Sequence, residues 1–269
     1  MGASILAVQH IRRMRGGSQS HLMRASDGGY YVTKFRNNPQ HVRVLANEMF
    51  ATRLGQHLRL PMPRVELIEV SGWLVENTPE LRIQMRGVTE MCSAGMQVAS
   101  RYVSDATNAT VLDYLPEAML PKVANISDFA RVLVLDKWTC NSDGRQALFV
   151  CETARCRQYR AFFIDQGYCF NAGEWNFPDN PFSGVYARPA VYQHVSGWES
   201  FEPALALAEE MDLDTLWRCA KDTPREWYEN DSAALDRLVE LLYQRRSRIR
   251  DLIDGFRKSS RNPFPSWPA

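Results

Sequence analysis

The chain has 269 residues, 45% hydrophobic and 23% charged, ordinary globular values that exclude wholesale disorder. Its 32 basic residues nearly cancel its 31 acidic ones, so no global field draws it to nucleic acid or to an anionic membrane. No apolar run approaches the roughly 20 residues a bilayer span needs, and Arg12 and Arg13 interrupt the opening apolar stretch too early for a secretory signal, so a cytoplasmic location is expected.

In chain order, Ile5 to Met14 predicts a first strand, Gly16-Gly17 breaks it, and His21 to Ala25 makes a second. Ser26-Asp27-Gly28-Gly29 is a hairpin turn, because Asp and Gly accept positive φ. Tyr30 to Phe35 alternates and is rich in β formers, giving a third strand. In the loop Arg15 to Ser20, glycines at 16 and 17 let backbone N–H groups of Gly16, Gly17, Ser18, Gln19 and Ser20 approach phosphate oxygens. A Gly-Gly between strands is more often a plain turn. Lys34, at the end of the third strand, adds an ammonium placed to reach α and β phosphates.

Val44, Leu45, Met49, Phe50 and Leu54 recur at helical spacing, so Gln40 to Leu58 predicts an amphipathic helix. Glu48 on it is a candidate to hold Lys34, as a helix glutamate does in phosphoryl-transfer enzymes. Leu60-Pro61-Met62-Pro63 ends the helix. Val65 to Val70 reads as a strand, with Trp73 to Glu76 as its partner, 77–94 as a loop, and Met96 to Val103 as a buried strand. Position alone makes the end of that strand, Arg101, Tyr102 and Val103, the hinge whose backbone would bind an adenine edge.

Residues 104–126 read as a linker and the first helix of a helical lobe. Ser127 is placed to N-cap a helix that carries Phe129, Val132, Leu133 and Leu135. Then comes the most informative stretch, Trp138 to Gly167, with two acidic tripeptides, Asn141-Ser142-Asp143 and Asp165-Gln166-Gly167, joined by a hairpin of Ala147 to Glu152 and Gln158 to Ile164. Two carboxylates at the mouth of one hairpin suit phosphoryl transfer, Asp143 positioning the attacking hydroxyl and Asp165 holding Mg²⁺. Trp138 reads as core. The aromatic, Gly- and Pro-rich stretch Tyr168 to Pro189 reads as a packed loop or as a segment lying over the cleft.

Phe201 to Met211 and Leu213 to Ala220 read as helices, and one long helix starts near Asp231 or Ser232 and runs to Phe256. Arg245, Arg246, Arg248 and Arg250 on it read as a solvated face, and the tail after Arg257 as weakly ordered. The six cysteines, at 92, 140, 151, 156, 169 and 219, form no Cys-x-x-Cys pair and read as reduced residues, not a metal site.

These residues resemble the HipA-like kinases, a bacterial branch of the kinase fold that is also similar to the phosphatidylinositol kinases. Gly16-Gly17-Ser18-Gln19 with His21-Leu22 is similar to that family's glycine loop, Lys34 to its third-strand lysine and Glu48 to its helix glutamate. Asn141-Ser142-Asp143 fits the first half of its Asn-x-Asp-x-His-x-x-Asn catalytic loop, and Asp165-Gln166-Gly167 stands in place of Asp-Phe-Gly. The resemblance implies an α+β, two-lobed kinase-like fold, with residues 1–103 an ATP-binding β lobe with a small antiparallel sheet, 104–257 a mainly helical lobe, and 258–269 the tail. It implies a Ser/Thr protein kinase using ATP and Mg²⁺, with a protein substrate, a regulatory partner, and autophosphorylation at Ser18 or Ser20. The family's extra N-terminal module is not expected.

Two departures bear on activity. Arg145 stands where the family has His, and Leu148 where it has Asn. Gln146 offers the same amide donor type on a longer arm as second metal ligand, with Asn141 a further candidate. A rival register uses Asp136 and Asn141, five apart, and is disfavoured because Asp136 lies on a helical apolar run. The departures leave a pseudokinase that binds nucleotide or a partner as the alternative, and a small-molecule kinase as another.

Overall fold

The computed structural model describes residues 5–104, 109–153 and 157–267. The N-terminal part contains β1 (Ile5–Arg13), β2 (His21–Ala25), β3 (Tyr30–Lys34), α1 (Arg43–His57), β4 (Val65–Val70), α2 (Gly72–Glu76), β5 (Arg82–Met85), β6 (Val88–Met91) and β7 (Gly95–Arg101). It continues with β8 (Thr110–Leu112), α3 (Asp128–Trp138), β9 (Gln146–Cys151) and β10 (Arg160–Ile164), then α4 (Ala204–Glu209), α5 (Leu213–Ala220), α6 (Ser232–Arg245) and α7 (Ile249–Arg257). Among the described residues no helix is long and apolar enough to cross a membrane.

The first sheet closes into a barrel in the order β1-β2-β3-β7-β4. The expected small antiparallel sheet therefore gains one parallel seam, where Ile5 and Leu6 of β1 pair with Ile68 and Glu69 of β4. The hairpin turn forms as read: Gly28 has φ +81, and Asp27 Oδ1 accepts from the Gly29 N–H at 2.8 Å. A second sheet, β10-β9-β8, carries the predicted hairpin plus one strand from the stretch read as linker and helix.

Helix α1 is buried on all sides. Its apolar residues and also Asn47, Glu48 and Thr52 are out of solvent, because it lies between the barrel and the C-terminal helices. Its apolar residues share one core with α3, α6 and α7, while Met23, Tyr31, Phe35 and Ile68 belong to a separate cluster within the barrel. α3 is nearly as enclosed, and Trp138 at its end is fully buried with Nε1–H donating to Leu242 O at 2.8 Å.

Several expectations are corrected. The segment 73–76 is helix, not strand, because the Ser71 hydroxyl accepts from Leu74 N and caps it. The supposed loop 77–94 contains the β5–β6 hairpin. Ser127 makes no side-chain cap; Asn125 Nδ2 bonds Asp128 Oδ2 at the start of α3 instead. The long C-terminal helix is broken by a 3₁₀ turn over Arg246–Arg248. There Arg245 reaches back to Trp138 O at 3.1 Å and Asp179 Oδ1 at 2.9 Å, while Arg246 bonds Glu209 O and Met211 O. Arg245 and Arg246 are therefore ties between elements and not part of a solvated face, while Arg248 and Arg250 stay partly exposed in pairs with Asp179 and Glu209; Arg245 sits against the C-terminus of α3, where carbonyls favour a cation. The tail is packed too, with Phe264 buried against Phe256, Tyr192 and Phe201. Cys92, Cys140, Cys169 and Cys219 are free and buried, but Cys151 is disulfide-bonded, contrary to the reading of all six as reduced.

Candidate active site

The glycine loop joins β1 to β2. Gly16 has φ +124 with open space where a side chain would stand, a conformation glycine adopts without strain. Gln19 N donates to Gly16 O at 3.2 Å and Met14 N to Ser20 O at 2.8 Å, closing the turn. Gly17 is exposed, whereas Ser18 and Ser20 are buried. The Gln19 side chain points away from the loop mouth: its Nε2 donates to Gln84 O and its Oε1 accepts from Gln84 N, both at 2.8 Å. Arg13 donates to the same Oε1, so the loop is pinned to the β5–β6 hairpin.

Lys34 ends β3 pointing toward α1 and the loop after β10. Its Nζ lies 2.6 Å from Glu48 Oε2 and 2.7 Å from Asp165 Oδ1. Burial acts to push the ammonium down, but the Asp165 and Glu48 carboxylates outweigh it and hold it above its ordinary value. Burial likewise acts to raise the Asp165 carboxyl, and the Lys34 ammonium overrides it, so that carboxyl lies below the ordinary range. Glu48 also accepts from Gln166 N at 2.9 Å. Asp165 has φ +62, a left-handed conformation that Asp tolerates better than most residues. A Cβ on Gly167 would stand 3.3 Å from Val44 Cβ and 3.5 Å from Lys34 Nζ, so the third residue of this tripeptide must be small.

The loop after α3 is tied to the 165–168 loop on both sides of Asp143. Ser142 N donates to Tyr168 O at 3.0 Å, and Gln146 Nε2 bonds Asp165 Oδ2 at 3.2 Å. Asp143 lies on the loop between these two ties, exposed, with its Oδ1 accepting from Gly144 N at 2.7 Å. Asn141 lies beneath the loop, 1% exposed. Its Nδ2 donates to Asp136 Oδ1 at 2.9 Å and its Oδ1 accepts from Asp143 N at 3.2 Å, so its amide braces the loop.

Arg145 and Asp136 form a fully buried ion pair. Arg145 Nε donates to Asp136 Oδ2 at 3.0 Å, and its Nη1 to Ile164 O at 2.9 Å and Gln166 Oε1 at 2.6 Å. Burial acts against the guanidinium, and Asp136 outweighs it, keeping the pKa above its ordinary value. One side chain thus joins α3, the Asp143 loop, β10 and the Asp165 loop. Asp136 faces no substrate, which removes the rival register.

The hinge residues are used differently from the expectation. Arg101 N donates to Arg64 O and Tyr102 N to Tyr30 O, both at 2.7 Å, so these two donors serve the sheet and not a ligand edge. The Arg101 guanidinium packs over the Tyr31 ring and pairs with Asp27. Val103, half-buried at the end of the strand, lies beyond these bonds.

Asn47 escaped the sequence reading. Its Nδ2 lies 2.8, 2.9 and 2.7 Å from the carbonyls of Gly167, Cys169 and Ala172, and its Oδ1 accepts from Trp175 Nε1 at 2.7 Å. A signal was present. The apolar residues of α1 are spread round its whole circumference at about 100° per residue, which marks a helix buried on every side and makes each polar residue on it a paired one.

A family model described as HipA-like kinase matches residues 7–171. By structure, the chain is similar to the Golgi casein kinase, with a TM-score of 0.56 and 11% identity over 94% of this chain and 74% of that one. It is similar to the Helicobacter pylori proinflammatory kinase CtkA, with a TM-score of 0.53 and 12% identity over 91% of this chain and 99% of that one. A Golgi casein kinase structure with Mn/ADP bound matches with a TM-score of 0.51 at 11% identity, over 96% and 73% of the two chains. These likenesses establish a kinase fold. Among curated protein sequences none matches the chain.

Proposed function

The chain belongs to the HipA-like kinase family, and we propose that it is an ATP- and Mg²⁺-dependent phosphotransferase acting on Ser or Thr hydroxyls of protein. The observation that carries this reading is the Lys34–Glu48–Asp165 cluster, to which Gln146 ties the loop that bears Asp143. In this reading Lys34, oriented by Glu48, neutralises the α and β phosphates, and the backbone around Gly16 and Gly17 covers them. Asp143 orients the acceptor hydroxyl. Its oxygen attacks the γ-phosphorus as the bond to the β-phosphate bridging oxygen breaks, ADP leaves, and the hydroxyl proton passes to the Asp143 carboxylate. Positioning and charge neutralisation supply most of the rate.

The residues present fit a hard divalent cation. Asp165 offers a carboxylate, and Gln146, whose Nε2 donates to its Oδ2, carries an amide oxygen that a turn of the amide would bring to the ion, leaving positions for phosphate oxygens and water, the ligand balance Mg²⁺ takes. When bound, the ion would neutralise charge on the β and γ phosphates. The Mn/ADP complex of the Golgi kinase supports nucleotide and divalent-cation use on this fold.

The pseudokinase alternative rested on Arg145 and on Leu148 in the place of Asn. Arg145 is buried beneath the site in an ion pair, so it removes no group from the cleft, and Gln146 stands at Asp165. Both placements favour the catalytic reading. Transfer of labelled γ-phosphate from Mg-ATP to a Ser/Thr protein panel tests it. Asp143→Asn is expected to lower kcat by about 10²–10⁴-fold, and Asp165→Asn to remove transfer, with both variants still folded by thermal unfolding. Undiminished transfer by both variants would refute the proposal.

A further inference from the structure

Beside the Asp143 loop runs the stretch that follows residue 183. Gly184 N donates to Asp143 O at 3.1 Å and Arg145 N to Val185 O at 3.3 Å, so these two strands of chain lie side by side. The stretch then forms one wall of a groove of about 430 Å³, lined by Val185, Tyr186, Pro189, Tyr192, Phe256 and Arg261 among others. That volume falls within the roughly 300–1,000 Å³ of ordinary ligand sites and exceeds what one large side chain fills. The floor is apolar: Tyr186, Tyr192 and Phe256 are buried there, with the Tyr192 and Phe256 rings edge to face at 6.2 Å.

The rim is cationic. The Arg261 guanidinium rests 4.3 Å from the centre of the half-exposed Phe182 ring, and among the described residues no ion pair joins it to a carboxylate. Arg188, set between the lining residues Ala187 and Pro189, donates to Leu115 O and packs over the Tyr114 ring. Its Nη2 is buried, so Arg188 holds the wall and Arg261 is the cation at the rim. A guanidinium stacked on an aromatic ring and without an internal carboxylate, as Arg261 is, complements an external one.

We infer that this groove is the acceptor-sequence subsite: it takes a bulky apolar side chain one to three residues from the phosphorylated Ser or Thr, with a neighbouring Asp or Glu of the acceptor meeting Arg261. The inference rests on the phosphotransferase reading for the place of the hydroxyl at Asp143. Adjacency supplies the register. A chain whose hydroxyl lies at Asp143 and that runs toward the groove reaches Val185 within one or two residues, since each extended residue spans about 3.3–3.6 Å.

The test uses the full chain and fluorescein-labelled Ser peptides in which every flanking position is varied, read by anisotropy for binding and by γ-phosphate transfer from Mg-ATP. Peptides combining a large apolar residue with an acidic neighbour are expected to bind, and to be phosphorylated with kcat/KM at least tenfold above versions carrying Gly or Lys there. Arg261→Glu is expected to reverse the charge preference toward Lys, an outcome that unfolding cannot mimic. Ala187→Trp, which narrows the groove mouth, is expected to weaken peptide binding while Mg-ATP binding persists. Binding that is indifferent to both flanking features, or unchanged by Arg261→Glu, overturns the subsite whatever the transfer result. So does transfer confined to nucleic-acid ends or small hydroxyl compounds. Selective binding with no transfer to any peptide keeps the subsite and overturns the phosphotransferase reading.

Discussion

Replacing Arg145 probes how the two loops of the site are held. Arg145→Ala removes both bonds to Asp136 and those to Ile164 O and Gln166 Oε1, and leaves the buried Asp136 carboxyl without its cation, on the Asn141 amide alone. Breaking a buried pair from one side costs about 3–5 kcal/mol, against a total stability for a domain of about 5–15 kcal/mol. With a Tm shift of roughly 2–4 °C per kcal/mol at this size, the variant should melt at least about 6 °C lower. The partner change Asp136→Leu with Arg145→Met removes both charges together, and such replacements are often neutral or stabilising by about 1–4 kcal/mol. It should therefore recover most of the loss in thermal stability. Phosphate transfer would separate the two roles, since the double variant still lacks the tie from the Asp143 loop to the Asp165 loop and should stay impaired while folded. Urea unfolding of the wild type, Asp136→Leu, Arg145→Met and the double variant gives the coupling energy. A coupling below about 0.5 kcal/mol, the level at which independent sites add, would refute the account of Arg145 as the tie between the loops.

Gln19→Ala frees the glycine loop from the β5–β6 hairpin, and should raise KM for ATP severalfold with little change in kcat or Tm; steady-state kinetics read this, and an unchanged KM would contradict it. Asn47→Ala strands three loop carbonyls and the Trp175 N–H, at about 1–3 kcal/mol per unsatisfied group, and should lower Tm by several degrees; a shift within 1 °C by calorimetry would contradict it. His21 is buried between His10 and Cys92, and burial first, with the nearby His10 charge second, lowers its pKa to about 4. Between pH 6.5 and 4 the unfolded chain then binds a proton that the folded chain refuses, so stability falls as pH drops through that window. Thermal unfolding at pH 7 and pH 5 should show a smaller loss for His21→Gln than for wild type, and equal losses would contradict the assignment.

The parts of the site legible in the sequence are those whose residue type carries its chemistry. Lys34, Glu48, Asp143 and Asp165 announce themselves because phosphoryl transfer needs an ammonium and carboxylates, and the helix and hairpin that carry them have strong periodic patterns. The β5–β6 hairpin was hidden because β6 is exposed at every residue, so no apolar alternation marks it, and its turn is Arg86-Gly87, both at positive φ, without the usual Asn or Asp. Trp73 to Glu76 misled because four residues are too few for a period, and the deciding bond comes from the Ser71 hydroxyl outside the run. Arg145 looked like a lost catalytic group because its partner Asp136 lies nine residues back on a helix, and only the fold shows that the two side chains meet. Arg245 and Arg246 looked solvated for the same reason, since their acceptors sit on α3, at 179 and at 209–211.

The central claim is that Lys34, Asp165 and Gln146 form the nucleotide and metal end of a working kinase site. A crystal structure with Mg²⁺ and a non-hydrolysable ATP analogue tests it most directly. The account predicts the ion between Asp165 and Gln146, with Lys34 still on Glu48 but turned from Asp165 Oδ1 to a phosphate oxygen. An unchanged 2.7 Å Lys34–Asp165 pair, with the nucleotide or the ion held elsewhere, would contradict it.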